Sequence, residues 1–466
     1  MSLYFKENKK KIFLILFIVF LFCSSFILSL FPIRMSHWWD ETVYLQHAEI
    51  FFSGRDNYSE LSFRPPLLSI LFFFAFFIKH SIVSASIVTA LFGALLPVFG
   101  FLIGRKLYDF KTGIISGLIL SVAPFINLNA NYLLTDVPAT ALIAISFYLI
   151  LFKNRTLLLF LSGVFFSLAI LMKFTAILIG LVFLVYFFIA KFKIKEMLVF
   201  FLGSAIIILP YFIWAQINFG FFLTPFIKGS QMVGDFNESL FFYFKEFNRA
   251  FTPVASIGLF FLLVSYLYMI SNRKIINCGK DFLLFFWIIL YFLYLTSTPH
   301  KELRYIIHIS IPVIILSSRG YSFLFELFEK YKLILVFLCI ILFSSLLVLV
   351  HSNYSYQNIT KEIFVDKFIS DEMKLSTYLL EEKKYSGIIY TNQRYPVIAY
   401  YSGLETRQIW PSDENFYFTF LDQMKDPGLI IGMFGVKVPQ PSWLDKNPHF
   451  EYVNEIGDFF IYSYSP

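Results

Sequence analysis

The sequence predicts an α-helical polytopic membrane protein with a small C-terminal α/β domain. Three observations predict it. First, the 466 residues are 58% hydrophobic and 21% aromatic, with 63 phenylalanines and only 15% charged residues. No water-exposed surface accommodates that much apolar side chain, so lipid is the expected solvent. Second, apolar runs long enough to cross a hydrocarbon core recur along most of the chain. Third, the composition changes after Val350: apolar runs shorten, and glycine, proline, tyrosine and charge increase.

Taken in order, spanning helices are expected at 11–31, 82–103, 112–127, 137–152, 156–172, 174–190, 197–215, 254–271, 281–297, 305–318 and 333–350. The first follows Lys6 and Lys9 to Lys11 and ends in "SLFPIRM". That ending offers no small-x-small cleavage site, so the run reads as a transmembrane helix and not a removed leader. The run 66–78, "PLLSILFFFAFFI", is short and follows Pro65, which suits an interfacial or re-entrant helix.

Charge orders these spans. With the N-terminus inside, every inner loop is basic: Lys6 to Lys11, Arg105 to Lys111, Lys153/Arg155, Lys191 to Lys195, Arg273 to Lys280, and Arg319 to Lys332. That is the pattern of the positive-inside rule. Treating 66–78 as a full span would invert all later loops. The N-terminus is therefore expected in the cytoplasm and the C-terminal domain outside it. Residues 351–466 hold 10 basic and 15 acidic residues, a net −5, and the preceding residues hold 28 and 16, a net +12. The basic residues form no single stripe, so nucleic acid is not an expected partner. Three scattered cysteines offer neither a disulfide framework nor a thiolate metal cluster.

The two expected domains are 1–350, transmembrane, and 351–466, extracytoplasmic. Within the second, "DEMKLSTYLLEEKKY" reads as an amphipathic helix and "SGIIYT" as a strand. "RYPVIAYYSG" reads as a helix or strand ending at Gly403. "GLIIGMF" and "FEYVNEIGDFFIYSY" read as further strands.

The distinctive polar clusters all fall on the expected outer side. "SHWWDETVYLQH" places Asp40 and Glu41 after two tryptophans, which favour the membrane interface and would hold the acids at headgroup depth. Asp136 in "LLTDVPA" precedes a span with Pro138 in its first turn, where it would serve as the N-cap. Arg64 in "FRPPL" and Lys173 in "LMKFTA" are cations at the outer ends of apolar segments. They suit either snorkelling anchors or a phosphate site. "TPHKELRY" gathers His300, Lys301, Glu302, Arg304 and Tyr305 between two spans. Glu302 can pair with either cation, and Lys301 and Arg304 would share a helical face. His300 lacks a second ligand at metal spacing, so no metal is expected. Carboxylates and cations around an outward cavity with aromatic walls suit a lipid-linked phosphosugar, with a carboxylate as base on an incoming hydroxyl.

"WWDETVYLQHAEIFFSG", "RPPLLSIL", "TDVPA", "LMKFTA" and "HKELRY" in this order resemble the GT-C superfamily of integral membrane glycosyltransferases. The likeness runs over about residues 11–350. It is nearest to the protein O-mannosyltransferase and lipid A aminoarabinose transferase branch, the family 39-like enzymes. "HKELRY" itself is similar to the mannosyltransferases of lipid-linked oligosaccharide and glycolipid-anchor assembly. The resemblance implies Asp40 as catalytic base, with Glu41 the alternative, and Asp136 as the second site acid. Arg64, Lys173, Lys301 and Arg304 would hold the donor phosphate, supported by His300, Glu302, Tyr305 and Trp39. The implied donor is a polyprenyl- or dolichyl-phosphate sugar in the membrane, and the acceptor a hydroxyl on protein, glycan or lipid. Inversion at the anomeric carbon is expected, with no cofactor. Two other readings suit the composition: a transporter or flippase for a lipid-linked glycan, and a non-catalytic lipid- or glycan-binding membrane protein. A transporter would carry polar residues mid-span and matching broken helices in two halves, and no halves match here.

Overall fold

The computed structural model describes residues 2–31, 34, 37, 39–53, 63–231, 238–272, 279–327, 371–391, 394–409, 426–436 and 439–466. The expected span 333–350 and Trp38 lie outside them. The chain divides into two compact units, Met1–Ile33 with Arg55–Phe364, and Arg34–Gly54 with Val365–Pro466. The short segment carrying Asp40 and Glu41 thus groups with the C-terminal domain.

The first unit is a helical bundle. In chain order it contains α1 (Ser2–Leu30), α3 (Leu67–Ile78), α4 (Ile82–Leu107), α5 (Phe110–Ser121), α6 (Pro124–Asn131), α7 (Asp136–Ile150) and α8 (Thr156–Met172). There follow α9 (Ile179–Ile189), α10 (Ile194–Phe219), α11 (Thr224–Gln231), α12 (Phe242–Lys245), α13 (Phe247–Ser271), α14 (Gly279–Ser297) and α15 (Ser310–Leu327). The 3-10 turns Phe174–Leu178 and Leu303–Ile309 lead into α9 and α15. Among the described residues six helices are long and apolar enough to cross a membrane, seven if α5 and α6 count as one bent span. Burial ranks them. The apolar window of Leu303–Leu327 is 89% buried inside the protein, and those of α1 and α10 only 17%, so α15 is central and α1 and α10 are peripheral.

The expected span 112–127 is broken. Helices α5 and α6 meet at 52°, because Pro124 starts the second and cannot continue the first. Another break falls in α13 at Thr252, whose φ of 64° precedes Pro253. The expected start at 254 marks that break, and the helix resumes beyond it.

Close helix approaches use small residues, as expected where hydrocarbon removes the hydrophobic drive between helices. A Cβ on Gly163 of α8 would sit 1.9 Å from the Phe200 carbonyl oxygen, and one on Gly203 of α10 would sit 2.0 Å from that of Phe160. Beside this contact the Ser167 hydroxyl donates to Ser204 O at 2.9 Å. On the other side of α8, Ser146 and Ser162 exchange hydroxyl-to-carbonyl bonds at 2.7 and 2.8 Å.

The second unit contains α2 (Trp39–Ser53), α16 (Asp371–Thr377), α17 (Tyr395–Ser402), a short helix α18 (Pro441–Leu444) and a five-stranded sheet. The strands are β1 (Ile388–Thr391), β2 (Thr406–Gln408), β3 (Gly428–Met433), β4 (Phe450–Ile456) and β5 (Phe459–Tyr464). Their order is β2-β1-β3-β5-β4, with β1 parallel to both β2 and β3 and the other pairs antiparallel. Alternation along the strands makes two cores. Tyr390, Ile430, Phe460 and Tyr462 fill one face, and Ile389, Leu429, Ile431 and Ile461 fill the other with Leu375 and Ile398 from α16 and α17. The "RYPVIAYYSG" stretch is a helix that stops at Gly403, φ 64°. The amphipathic stretch at 371 is only in part an α-helix: α16 passes into a π turn over Tyr378–Glu382.

Candidate functional site

In the bundle, helix and turn ends bring one group of predicted residues together. Asp136 is the first residue of α7. Thr135 is the cap, and the Asp136 carboxylate does not cap but pairs with Lys173 Nζ. The N-cap position falls to Thr135, whose side chain makes no capping hydrogen bond. Asp136 is 3% exposed, and the cations acting most strongly on it are Lys173 and Arg304. Lys173 sits just past α8, where the chain turns extended before Phe174–Leu178, so its ammonium leaves the helix axis. It lies 4.5 Å from the Tyr305 ring centroid, and Arg304 lies 5.6 Å from the same ring. Both contacts are cation–π.

Glu302 gathers the rest. Its carboxylate accepts from Arg304 at 2.8 Å and from Tyr305 Oη at 3.1 Å, and contacts His300 Nε2 at 2.9 Å. Burial pushes Glu302 up, but Arg304 and the hydrogen bonds from Arg304, His300 and Tyr305 outweigh it and hold the carboxyl below its ordinary value. The Tyr243 hydroxyl donates to the Glu302 carbonyl at 3.2 Å, fixing the backbone there.

One expectation fails locally. Lys301 and Arg304 share no helical face, because the turn begins at Leu303 and Lys301 precedes it in extended chain. Lys301 is 6% exposed and donates to the carbonyls of Thr298 at 2.7 Å and Glu238 at 3.2 Å, so of the two cations it is Arg304 that pairs with Glu302. Arg64 lies before α3, its guanidinium 5.7 Å from the Phe63 ring centroid.

His308 belongs to this group and was not foreseen. It is 1% exposed, and its Nδ1 lies 2.8 Å from Thr140 Oγ1. The Thr140 hydroxyl has one proton and gives it to Asp136 O at 2.8 Å. The hydroxyl must then accept from His308, which places the imidazole proton on Nδ1. A signal existed: a lone histidine inside the apolar run "YIIHISIPV" is the type of polar intramembrane residue that marks a site.

Asp40, Glu41 and Trp39 lie in the second unit, on the first turn of α2. The two acids differ sharply. Glu41 is fully buried and its Oε1 accepts from Arg34 Nη1 at 2.8 Å. Asp40 keeps part of its surface exposed. The Trp39 indole packs edge-on at 4.9 Å against the Tyr395 ring of the same unit. Among the described residues no cluster of three or more His, Cys, Asp or Glu is disposed to hold a metal ion.

The fold is shared with solved structures of ArnT and of an archaeal oligosaccharyltransferase. The chain is similar over nearly its whole length to ArnT from Cupriavidus metallidurans solved with undecaprenyl phosphate. The TM-score is 0.69 at 15% identity, covering 97% of this chain and 98% of that one. It is also similar to the oligosaccharyltransferase of Archaeoglobus fulgidus in its apo form (TM-score 0.62, 12% identity, 89% and 69% of the chains). The oligosaccharyltransferase AglB from the same archaeon, solved with an inhibitory peptide and a dolichol-phosphate, gives 0.64 at 12% identity over 91% and 70%. Residues 64–214 match the family model of dolichyl-phosphate-mannose-protein mannosyltransferases, a stretch that holds Arg64, Asp136 and Lys173. No curated protein sequence matches significantly.

Proposed function

We propose that this protein is an inverting glycosyltransferase that moves a sugar from a polyprenyl or dolichyl phosphate to a hydroxyl on the extracytoplasmic side. The observation that carries the reading is the buried Asp136–Lys173 pair beside the Glu302–Arg304 pair. Charges are costly in a membrane protein's interior and are kept where they act. Lys173 and Arg304 supply the cations that a departing phosphate requires. Arginine presents five donors in a fork that matches phosphate, and lysine a compact charge with three. Asp136 and Glu302 hold these cations in place and keep them neutralised before the donor arrives. Tyr305, between the two cations, sets their spacing.

Asp40 is the proposed base. It takes the proton of the acceptor hydroxyl as that oxygen attacks the anomeric carbon, the carbon–phosphate oxygen bond breaks on the opposite face, and lipid phosphate leaves. Glu41 is unsuited to that part, because its carboxylate is buried against Arg34. The solved relatives with undecaprenyl phosphate and dolichol-phosphate support the donor class, and the matched family's description supports mannose among the sugars to try first.

The test is transfer by purified protein from dolichyl-phosphate mannose and undecaprenyl-phosphate sugars, with mass spectrometry of the products. Lys173→Ala and Arg304→Ala should each weaken donor binding by roughly 10–100-fold, as loss of a charged hydrogen bond implies. Unchanged donor affinity in both would refute the phosphate site.

A further inference from the structure

We propose that helix α17 of the C-terminal domain is the positioning element for the base, with Tyr395 and Tyr401 acting on Asp40 through its own helix. The inference rests on Asp40 being the base, as proposed above.

Asp40 stands on the first turn of α2 between Trp39 and Glu41, so the hold on those chain neighbours bears on where its carboxylate reaches. Both neighbours are held. On one side, the Trp39 indole meets the Tyr395 ring at 4.9 Å with the planes 86° apart. On the other, Glu41 accepts from Arg34 at 2.8 Å, and both charges act electrostatically on Tyr401. Just before the helix, His37 Nδ1 lies 2.9 Å from the Tyr401 hydroxyl. Two turns further along α2, Gln46 Nε2 donates to the Pro396 carbonyl at 2.5 Å. The helix is therefore fixed at two levels, and three of those contacts, from Trp39, His37 and Gln46, are made to the segment 395–401.

That segment is a firm platform. Pro396 stands in its first turn, Gly403 closes it in the left-handed region, and Ile398 is fully buried in one core of the sheet. A domain that only covered a membrane enzyme would need no aromatic and hydrogen-bonded grip on the one segment that bears the proposed base. The grip has a kinetic reason: misplacing a reacting group by about 1 Å costs on the order of 10²-fold in rate.

The test uses the full-length protein and the lipid-phosphate sugar that supports its transfer reaction. Tyr401→Phe removes one hydroxyl and keeps the ring. Its kcat should fall about tenfold, as expected for one lost hydrogen bond near its upper value, with KM for the donor and binding of undecaprenyl phosphate within about twofold. Tyr395→Leu should fall similarly. In an Asp40→Asn background, Tyr401→Phe should change residual turnover less than about twofold, because a residue that acts through Asp40 has nothing left to position. Unchanged kcat in both single variants overturns the proposal. So does a full tenfold loss that persists in the Asp40→Asn background, or a parallel loss of donor binding. Turnover by Asp40→Asn at the original rate refutes the base assignment itself, which separates that failure from failure of the positioning role.

Discussion

Asp40 and Glu41 are adjacent and chemically similar, yet burial separates them. About 100° of helical turn lies between successive side chains. The Glu41 carboxylate is sealed against Arg34, and Asp40 as a residue is only partly buried. Asp40→Asn should therefore lower turnover by about 10²–10⁴-fold with donor binding retained, since an amide cannot accept the acceptor's proton. Glu41→Gln should act mainly on stability. It removes the carboxylate that the partly buried Arg34 meets at 2.8 Å, and a lower melting temperature with a smaller kinetic effect is the expected pair of readouts. The reverse pattern would move the base to Glu41. Glu302 gives a pH test. Its folded carboxyl is held below the ordinary 4.5, so its contribution to stability is complete above that value and lost as pH falls through the folded value. The melting-temperature gap between the native protein and Glu302→Gln should be widest near neutrality and should close in acid below about pH 4.5. A gap that widened in acid would contradict the assignment.

At the scale of elements, periodicity and apolar length located the helices, because lipid imposes a length and forbids unpaired backbone. Pairings across the sequence were less legible. Asp136 and Lys173 stand 37 positions apart, and nothing in either local pattern shows that the ends of α7 and α8 meet. The same holds for a second buried charge cluster, where Asp281 of α14 pairs with Arg319 of α15 and accepts from Tyr108, and Arg319 lies 4.7 Å from the Tyr108 ring centroid. In the sequence Arg319 counts only as a basic loop residue. Asp281 is 2% exposed, so Arg319→Leu should strand a buried carboxylate and cost about 3–5 kcal/mol, read as a lower melting temperature. Asp281→Asn with Arg319→Leu together should recover much of that loss. Gly163 makes a different element-scale case. With a carbonyl oxygen 1.9 Å from any added Cβ, Gly163→Ala must push α10 off α8 and break the Ser167–Ser204 bond beside it.

For the molecule as a whole, composition made the division into a membrane part and a C-terminal α/β domain legible, but not the membership of residues 34–54. That segment looks like an ordinary outer loop between apolar runs. Its grouping with residues 365–466 depends on side chains some 350 positions distant, such as Gln46 with Pro396. Strand β2 was likewise missed, because three residues of intermediate burial carry no alternation to read. Orientation is the property that the sequence argues for most directly, since charge asymmetry and not packing sets it. The loop between α9 and α10 carries Lys191, Lys193 and Lys195 and should face the cytoplasm, where three cations are retained during insertion. The domain after 365 carries net negative charge and should lie on the other side, with the proposed base and the polar ends of α7 and α8. Single cysteines at Lys193 and at Asn447, in a protein with Cys23, Cys278 and Cys339 replaced by serine or alanine, would be offered a membrane-impermeant maleimide on intact cells. Labelling is expected at position 447 and, only after the membrane is opened, at position 193. Outside labelling at 193 with protection at 447 would invert the topology and, with it, the side of the membrane assigned to the proposed sugar transfer.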